Sequence, residues 1–385
     1  MSRLQDFIAV LILNLLLGSL YAWSVIARAL EAELGMGRAE ASSIFSTATV
    51  CFVLAMLFAP RTYSRLGPGQ LAFAAAALAC GGVALAATTT GLAVLLVGYG
   101  LLFGLANGIG YGLSLQIASQ VVPGRRGLAV GSVVAAYAGG AIVAAPLLSW
   151  AAAAWGIATT LLLLALCFLA LALLCPLLLR GSGAIPRRSA KAVALSGEPW
   201  FGRTFTLLWI GYALGASAGL MMIGHAATLV DSVRGSEDLI VLGASLVAAG
   251  NWLGRFGAGW ASDHLSVRRV LAAALLLNVA ALSLVLLLAS PLTVLIALAL
   301  VGAGYGSLAA GYPIAVGRYY QPDQVAAVYG KLFTAWGVAG VAGPWIAGRI
   351  FEVAGSYGDA LALAVAATLV ALLATAILPK PTTVA

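Results

Sequence analysis

Runs of about twenty apolar residues, each closed by charge, proline or glycine, recur from one end of this chain to the other. That is the length an α-helix needs to cross the hydrocarbon core of a bilayer. The runs fall at 6–28, 41–60, 70–88, 91–118, 127–150, 155–180, 204–230, 238–261, 269–290, 292–316, 326–350 and 359–379. Twelve crossings with short connections use nearly all 385 residues, so no large soluble domain fits and most enzyme classes are excluded. Charged residues make up 8% of the chain, against roughly 25% in a soluble domain. The fold class expected is all-α integral membrane. The first run is too long for the apolar stretch of a cleaved leader and is taken as a retained span.

Charge sets the sidedness. The connections alternate between nearly charge-free segments, such as Thr88-Thr89-Thr90, and basic ones, such as Arg125-Arg126. With the N-terminus inside, fifteen of the 20 Lys and Arg residues collect on the cytoplasmic side and four on the other, Arg28, Arg38, Arg234 and Arg349. Both termini are therefore expected in the cytoplasm. The remaining basic residue, Arg255, lies inside a span. A net charge of +8 spread over short loops does not make a nucleic-acid surface. Cys51, Cys80, Cys167 and Cys175 lie in apolar runs without paired spacing, so neither disulfides nor a metal site is indicated.

Residues 181–203 are rich in Gly, Ser, Pro and basic side chains, which marks a cytoplasmic linker between two six-helix halves, 1–180 and 204–385. The halves echo one another. Pro123, Gly131, Gly139 and Pro146 in span five are spaced almost as Pro322, Gly330, Gly337 and Pro344 in span eleven. Gly100, Gly104, Gly108 and Gly112 put a bare stripe on one face of span four, which suits close packing. The clusters at Gly139-Gly140 and Gly337 to Pro344 suit bending, so a bulky residue at Gly340 or Gly343 is expected to slow transport more than binding.

The connection after span eight reads Gly259-Trp-Ala-Ser-Asp263-His264-Leu-Ser266-Val-Arg268-Arg269. It resembles the loop signature of the major facilitator superfamily, with His264 and Ser266 as departures. The corresponding first-half loop, Pro60 to Gly67, keeps fragments of it and lacks the acid. The resemblance covers the whole chain and implies two pseudo-symmetric six-helix bundles with a site near the membrane midplane. Three further motifs resemble the oxalate/formate antiporter and monocarboxylate transporter group. They are Gly18-Ser-Leu-Tyr21-Ala-Trp23-Ser24, Asn251-Trp-Leu-Gly254-Arg255, and Tyr329-Gly330-Lys-Leu-Phe333-Thr334-Ala-Trp336-Gly337 running to Pro344.

Arg255 is the chemical centre of this expectation. Eight residues before Asp263, it sits roughly 12 Å into the membrane from the end of span eight. An arginine facing lipid at that depth costs several kcal/mol, so it must face inward. Its planar fork of donors matches a carboxylate. All twelve acids lie at span ends or in loops, Asp263 being the best structural rival, so a substrate anion is the natural partner. Asn251, one turn earlier on the same face, can orient the guanidinium or share its ligand. The resemblance bears on coupling, because animal-type monocarboxylate carriers place an aspartate where this chain has Asn251, which leaves no acid beside the arginine to take a proton. Oxalate-type members place a second cation where this chain has Trp336, so the implied cargo is a monoanion.

Aromatic groups at depth can wall off the apolar end of such a cargo. The candidates are Tyr21 and Trp23 in span one, Tyr111 in span four, Tyr212 in span seven, Tyr305 and Tyr312 in span ten, and Trp336; resemblance favours Tyr111, Tyr305 and Asn251. Asp263, Arg268 and Lys331, near the cytoplasmic edge, are candidates for gating. His225, near the outer end of span seven, can titrate and contribute to coupling.

The expectation is secondary active transport of a small monocarboxylate, such as lactate, pyruvate or formate, across the cytoplasmic membrane of a bacterium. The partners implied are the organic anion, a proton or counter-anion, and the bilayer; no cofactor, metal or nucleic acid is implied, and the protein is expected to be a monomer. Competing functions are efflux of larger amphipathic compounds and anion sensing without transport.

Overall fold

The computed structural model describes residues 3–63, 65–88, 91–121, 124–179, 202–321 and 324–380. The linker expected at 181–203 lies outside them, apart from Gly202 and Arg203, as do Pro123 and Pro322 of the internal echo. Among the described residues, eleven helical stretches are long and apolar enough to span a membrane. One of these, Arg126–Leu178, runs for 53 residues and holds Gly156 at φ 78 and ψ 165, a conformation open to glycine, so it is two crossings and not one. The count of twelve therefore holds. The helices are α1 (Arg3–Leu34), α2 (Arg38–Tyr63), α3 (Pro68–Ala87), α4 (Leu92–Gln120), α5 (126–155), α6 (157–178), α7 (Arg203–Gly224), α8 (Glu237–His264), α9 (Val267–Leu287), α10 (Pro291–Tyr319), α11 (Val325–Ala354) and α12 (Gly358–Ala376).

Three helices depart from the simple spans. Helix α1 tightens to a 3-10 turn over Gly18–Ala22, and α4 widens to a π-helix over Leu96–Phe103. The span expected to reach residue 230 stops at Gly224, breaks at His225, and resumes as a short helix, Ala226–Ser232. Hydropathy cannot see such breaks, because they change backbone geometry without changing the apolar run.

Contacts divide the chain into two compact units. The first comprises Met1–Pro123, Ala136–Ser196 and Asp323–Lys331, and the second Gly124–Ala135, Gly197–Pro322 and Leu332–Ala385. Within the first unit, the bare stripe of α4 lies along α2. A Cβ at Gly104 would stand 2.6 Å from the Ala48 carbonyl oxygen, and one at Gly108 2.6 Å from that of Phe52. The start of α11 packs on α2 in the same unit, where a Cβ at Gly330 would strike the Met56 carbonyl.

Within the second unit, the start of α5 packs on α8. A Cβ at Gly131 would lie 2.6 Å from Gly259 Cα and 2.9 Å from the Arg255 carbonyl oxygen. Gly131 and Gly330, paired in the sequence echo, thus take the same kind of backbone contact in their separate units. A core of Met222, Leu229, Val230, Leu282, Val294, Leu298 and Val301 fastens α7, its short continuation, α9 and α10. Of the two glycines singled out for bending, only Gly343 is tightly packed, with its Cβ position 2.6 Å from the Ser217 carbonyl; at Gly340 the nearest atom is Leu220 Cδ1 at 3.9 Å. At Gly340 a methyl group would meet only ordinary van der Waals contact.

Candidate substrate site

The site begins with four glycines. On α8, side chains at Gly250 or Gly254 would collide with the Ala299 or Ala303 carbonyl of α10; on α10, side chains at Gly302 or Gly306 would collide with the Val247 or Asn251 carbonyl of α8. Their absence lets the two backbones touch. Ser307 Oγ donates to the Gly254 carbonyl at 3.2 Å across this seam. The contact brings Asn251 and Arg255 of α8 up to Tyr305 of α10.

Arg255 is 2% exposed, the bulkiest of the fully buried side chains. Its Nε donates to Asn251 Oδ1 at 2.8 Å, and its Nη1 donates to the Val134 carbonyl of α5 at 3.0 Å. The guanidinium carbon stands 6.0 Å from the centre of the Tyr305 ring. Tyr305 in turn accepts from Trp336 Nε1 of α11 at 2.8 Å, and Trp336 stacks on Phe333 at 4.8 Å. Trp209 Nε1 of α7 donates to Thr334 Oγ1 at 2.9 Å, which fixes the same stretch of α11 from its other side. An amide oxygen, a carbonyl and a ring face thus orient the guanidinium, whose planar fork of donors is complementary to a carboxylate.

Asp263, the acid placed as structural rival for Arg255, is committed elsewhere. Its two oxygens accept from the Gly127 and Leu128 backbone N–H groups at 2.7 and 2.8 Å. Arg318 Nη2 lies 3.9 Å from it and donates to the Ser262 carbonyl at 3.2 Å.

Four expected residues therefore gather in the second unit, namely Arg255, Asn251, Tyr305 and Trp336. Tyr312, two turns beyond Tyr305, instead stacks on Tyr212 with ring centroids 4.3 Å apart. Tyr21 and Tyr111 belong to the first unit, where both edge against Tyr137, at 5.1 and 5.2 Å, and Phe52 completes the group. Trp23 lies in a separate cluster against Tyr99 at 4.6 Å. Arg268 Nη2 donates to the Ala376 carbonyl at 2.5 Å. Lys331 lies at the end of the α11 segment that packs with the first unit. The His225 ring bonds Pro344 and Tyr357.

The sequence did not point to Val134, Tyr137 or Asn107. Val134 acts through its carbonyl, which every residue carries, so it has no signature. Tyr137 donates to Asn107 Oδ1 at 2.7 Å, and Asn107 Nδ2 donates to the Phe103 carbonyl at 2.9 Å. A signal existed there: Asn107 stands four residues before Tyr111, as Asn251 stands four before Arg255.

Comparison with known proteins agrees with this architecture. Residues 208–385 match the family model described as Major Facilitator Superfamily. Over 348 residues, 88% of this chain and 86% of its relative, the sequence is 22% identical to the uncharacterized MFS-type transporter YhjX of Escherichia coli. In structure the chain is similar to the human organic anion transporter MFSD10, with a TM-score of 0.77 and 16% identity over 97% of this chain and 100% of that one. It is equally similar to FucP in the outward conformation, with a TM-score of 0.77 and 16% identity over 99% and 100%. A bacterial homologue of the iron transporter ferroportin gives 0.76 and 16% over 98% of each chain. The second half of the chain thus matches the major facilitator family model, and the whole chain has the multi-pass helical fold of those transporters.

Proposed function

We propose that this transporter moves small monocarboxylates, such as lactate, pyruvate or formate, by alternating access across the cytoplasmic membrane of a bacterium, with both termini in the cytoplasm. Proteins of this fold carry sugars, organic anions and iron, so the fold does not choose the cargo. The observation that carries the reading is the buried Arg255, whose guanidinium is oriented by Asn251 Oδ1 and the Val134 carbonyl. Its planar fork of donors is the complement of a carboxylate. One central cation suits a monoanion better than a dianion. Asn251, Tyr305 and Trp336 line up the guanidinium. Asp263, Arg268 and Lys331 are assigned to gating.

The test is uptake of radiolabelled lactate, formate and oxalate into proteoliposomes, with and without an imposed proton gradient. Wild type should take up a monoanion and Arg255→Ala should not. Arg255→Lys should also lose most of its activity, because an ammonium lacks the fork and deprotonates when desolvated. Uptake that is indifferent to Arg255 sinks the proposal. Arg255→Ala that still moved neutral amphipathic compounds would favour efflux, a second function that the buried group of Tyr21, Phe52, Tyr111 and Tyr137 could serve.

A further inference from the structure

At the opposite end of α8 from Asp263, the break in α7 is held by a second polar network. His225, the residue at the break, places Nε2 2.9 Å from the Pro344 carbonyl oxygen of α11. Its Nδ1 lies 3.0 Å from the hydroxyl of Tyr357, the residue that precedes α12. That hydroxyl lies 2.8 Å from Thr228 Oγ1, and Thr228 Oγ1 lies 3.0 Å from the His225 carbonyl oxygen. Tyr357 is itself buried and stacked on Phe351 at 4.5 Å. Imidazole, two hydroxyls and two carbonyls thus close a loop through three helices.

A carbonyl only accepts, so Nε2 must carry a hydrogen whatever the pH. In the neutral ring Nδ1 is then an acceptor, and Tyr357 donates to it. When a proton from water forms the Nδ1–H bond, that N–H donates to the Tyr357 oxygen. The Tyr357 O–H turns to Thr228 Oγ1, and the Thr228 O–H rests on the His225 carbonyl. Every group keeps a partner in both states, and only two hydroxyl hydrogens rotate. His225 is half-buried. The charged side chains on the surrounding elements are Asp231 on the short helix, Arg349 and Glu352 on α11, and Asp359 in the first turn of α12. Arg349 and Glu352 pair with each other at 2.8 Å. Both ring nitrogens bond uncharged groups.

We propose that His225, Tyr357 and Thr228 form a proton-binding site, and that the bound proton tightens the hold of the α7 break on Pro344. A charged N–H makes a stronger hydrogen bond to a carbonyl than a neutral one. The two positions it joins are the ones where helices can flex, a break in α7 and a proline inside α11. Proton occupancy there biases the bundle toward one of its conformations, which makes the proton a co-substrate or a regulator of transport. The site rests on geometry alone and stands whatever the cargo is.

Ring-labelled histidine makes this directly measurable, since the chain has only two histidines and His264→Gln leaves His225 alone. Nitrogen NMR of the intact protein in nanodiscs should show the Nε2–H tautomer at high pH and a doubly protonated ring on acidification. Tyr357→Phe removes the partner of Nδ1 in both states, and since the charged N–H loses the stronger bond, the doubly protonated fraction at a given pH should fall. His225→Gln retains an N–H for Pro344 and an oxygen for Tyr357 but takes no proton. It should support lactate uptake that no longer responds to pH. An Nδ1–H tautomer, a ring that takes up no proton on acidification, or a glutamine variant with the wild-type pH response overturns the proposal. If neither protein takes up lactate, pyruvate or formate, the cargo assignment alone fails, and the ring titration still decides the proton site.

Discussion

One carboxylate of Asp263 caps the first turn of α5, accepting from the Gly127 backbone N–H at 2.7 Å and from Leu128 at 2.8 Å, across 136 positions of sequence. The first N–H groups of a helix have no partner within it, and an acid near them also meets the positive end of the helix dipole. Gly127 allows the approach, since a Cβ there would lie 2.5 Å from the Gly259 carbonyl oxygen and 2.8 Å from Asp263 Oδ1. The acid of the loop signature therefore has a stated physical task, that of tying α8 to α5.

Asp263→Ala should cost about 1–2 kcal/mol, the sum of a lost cap and a lost charge–dipole contact. Melting in detergent should fall by a few degrees, with Asp263→Asn recovering part of the loss through a single hydrogen bond. An alanine variant that melts like wild type would show that this cap contributes no stability.

Asn251→Asp should place a competing carboxylate against Arg255. The aspartate oxygen would stand where Asn251 Oδ1 now accepts from Arg255 Nε at 2.8 Å. Beside a guanidinium, a carboxylate favours its charged form, so it is ionised at neutral pH and competes with the substrate anion. Monoanion uptake at pH 7 should drop about tenfold or more; uptake equal to that of the wild type would count against Arg255 as the anion ligand.

The seam between α8 and α10 should be the least tolerant surface of the second unit. Alanine at Gly254 or Gly306 sets a methyl against the Ala303 or Asn251 carbonyl and should cost about 1–3 kcal/mol or more. On the same helix, Gly257 has no neighbour within 4 Å of its Cβ position, so Gly257→Ala should be neutral or stabilising by up to about 1 kcal/mol. Thermal melts of the three variants test the contrast; equal losses at Gly257 and Gly254 would refute it.

The break that separates α5 from α6 depends on Gly156 and Glu33. Gly156→Ala places a side chain in a backbone region nearly reserved for glycine, at a cost of about 1–3 kcal/mol. Glu33 accepts from the Ile157 N–H at 2.9 Å, so Glu33→Ala should cost about 1 kcal/mol. A melt of the double variant should lose less than the sum of the single losses, since a displaced Gly156 already spoils the cap.

The number of crossings and the depth of Arg255 within a span could be read directly from the chain. Both follow from transfer free energies, which depend on the side chains within one run of about twenty residues and on nothing further away. The same run also held the Asn251 and Arg255 spacing, because a four-residue interval on a helix is a local property. The break at His225 was not readable, since Ala226–Ser232 continues the apolar run beyond it.

The tertiary structure alone decided which groups those residues meet. Arg255 is held by a backbone carbonyl at Val134, Asp263 by backbone N–H groups at Gly127 and Leu128, and His225 by a carbonyl at Pro344 and a hydroxyl at Tyr357. Each of these partners is more than one hundred residues away in sequence. Backbone donors and acceptors are the same at every position, so nothing local marks the ones that will be used. Burial in the membrane is set residue by residue along the chain, whereas pairing is set by which helices the glycine seams allow to touch.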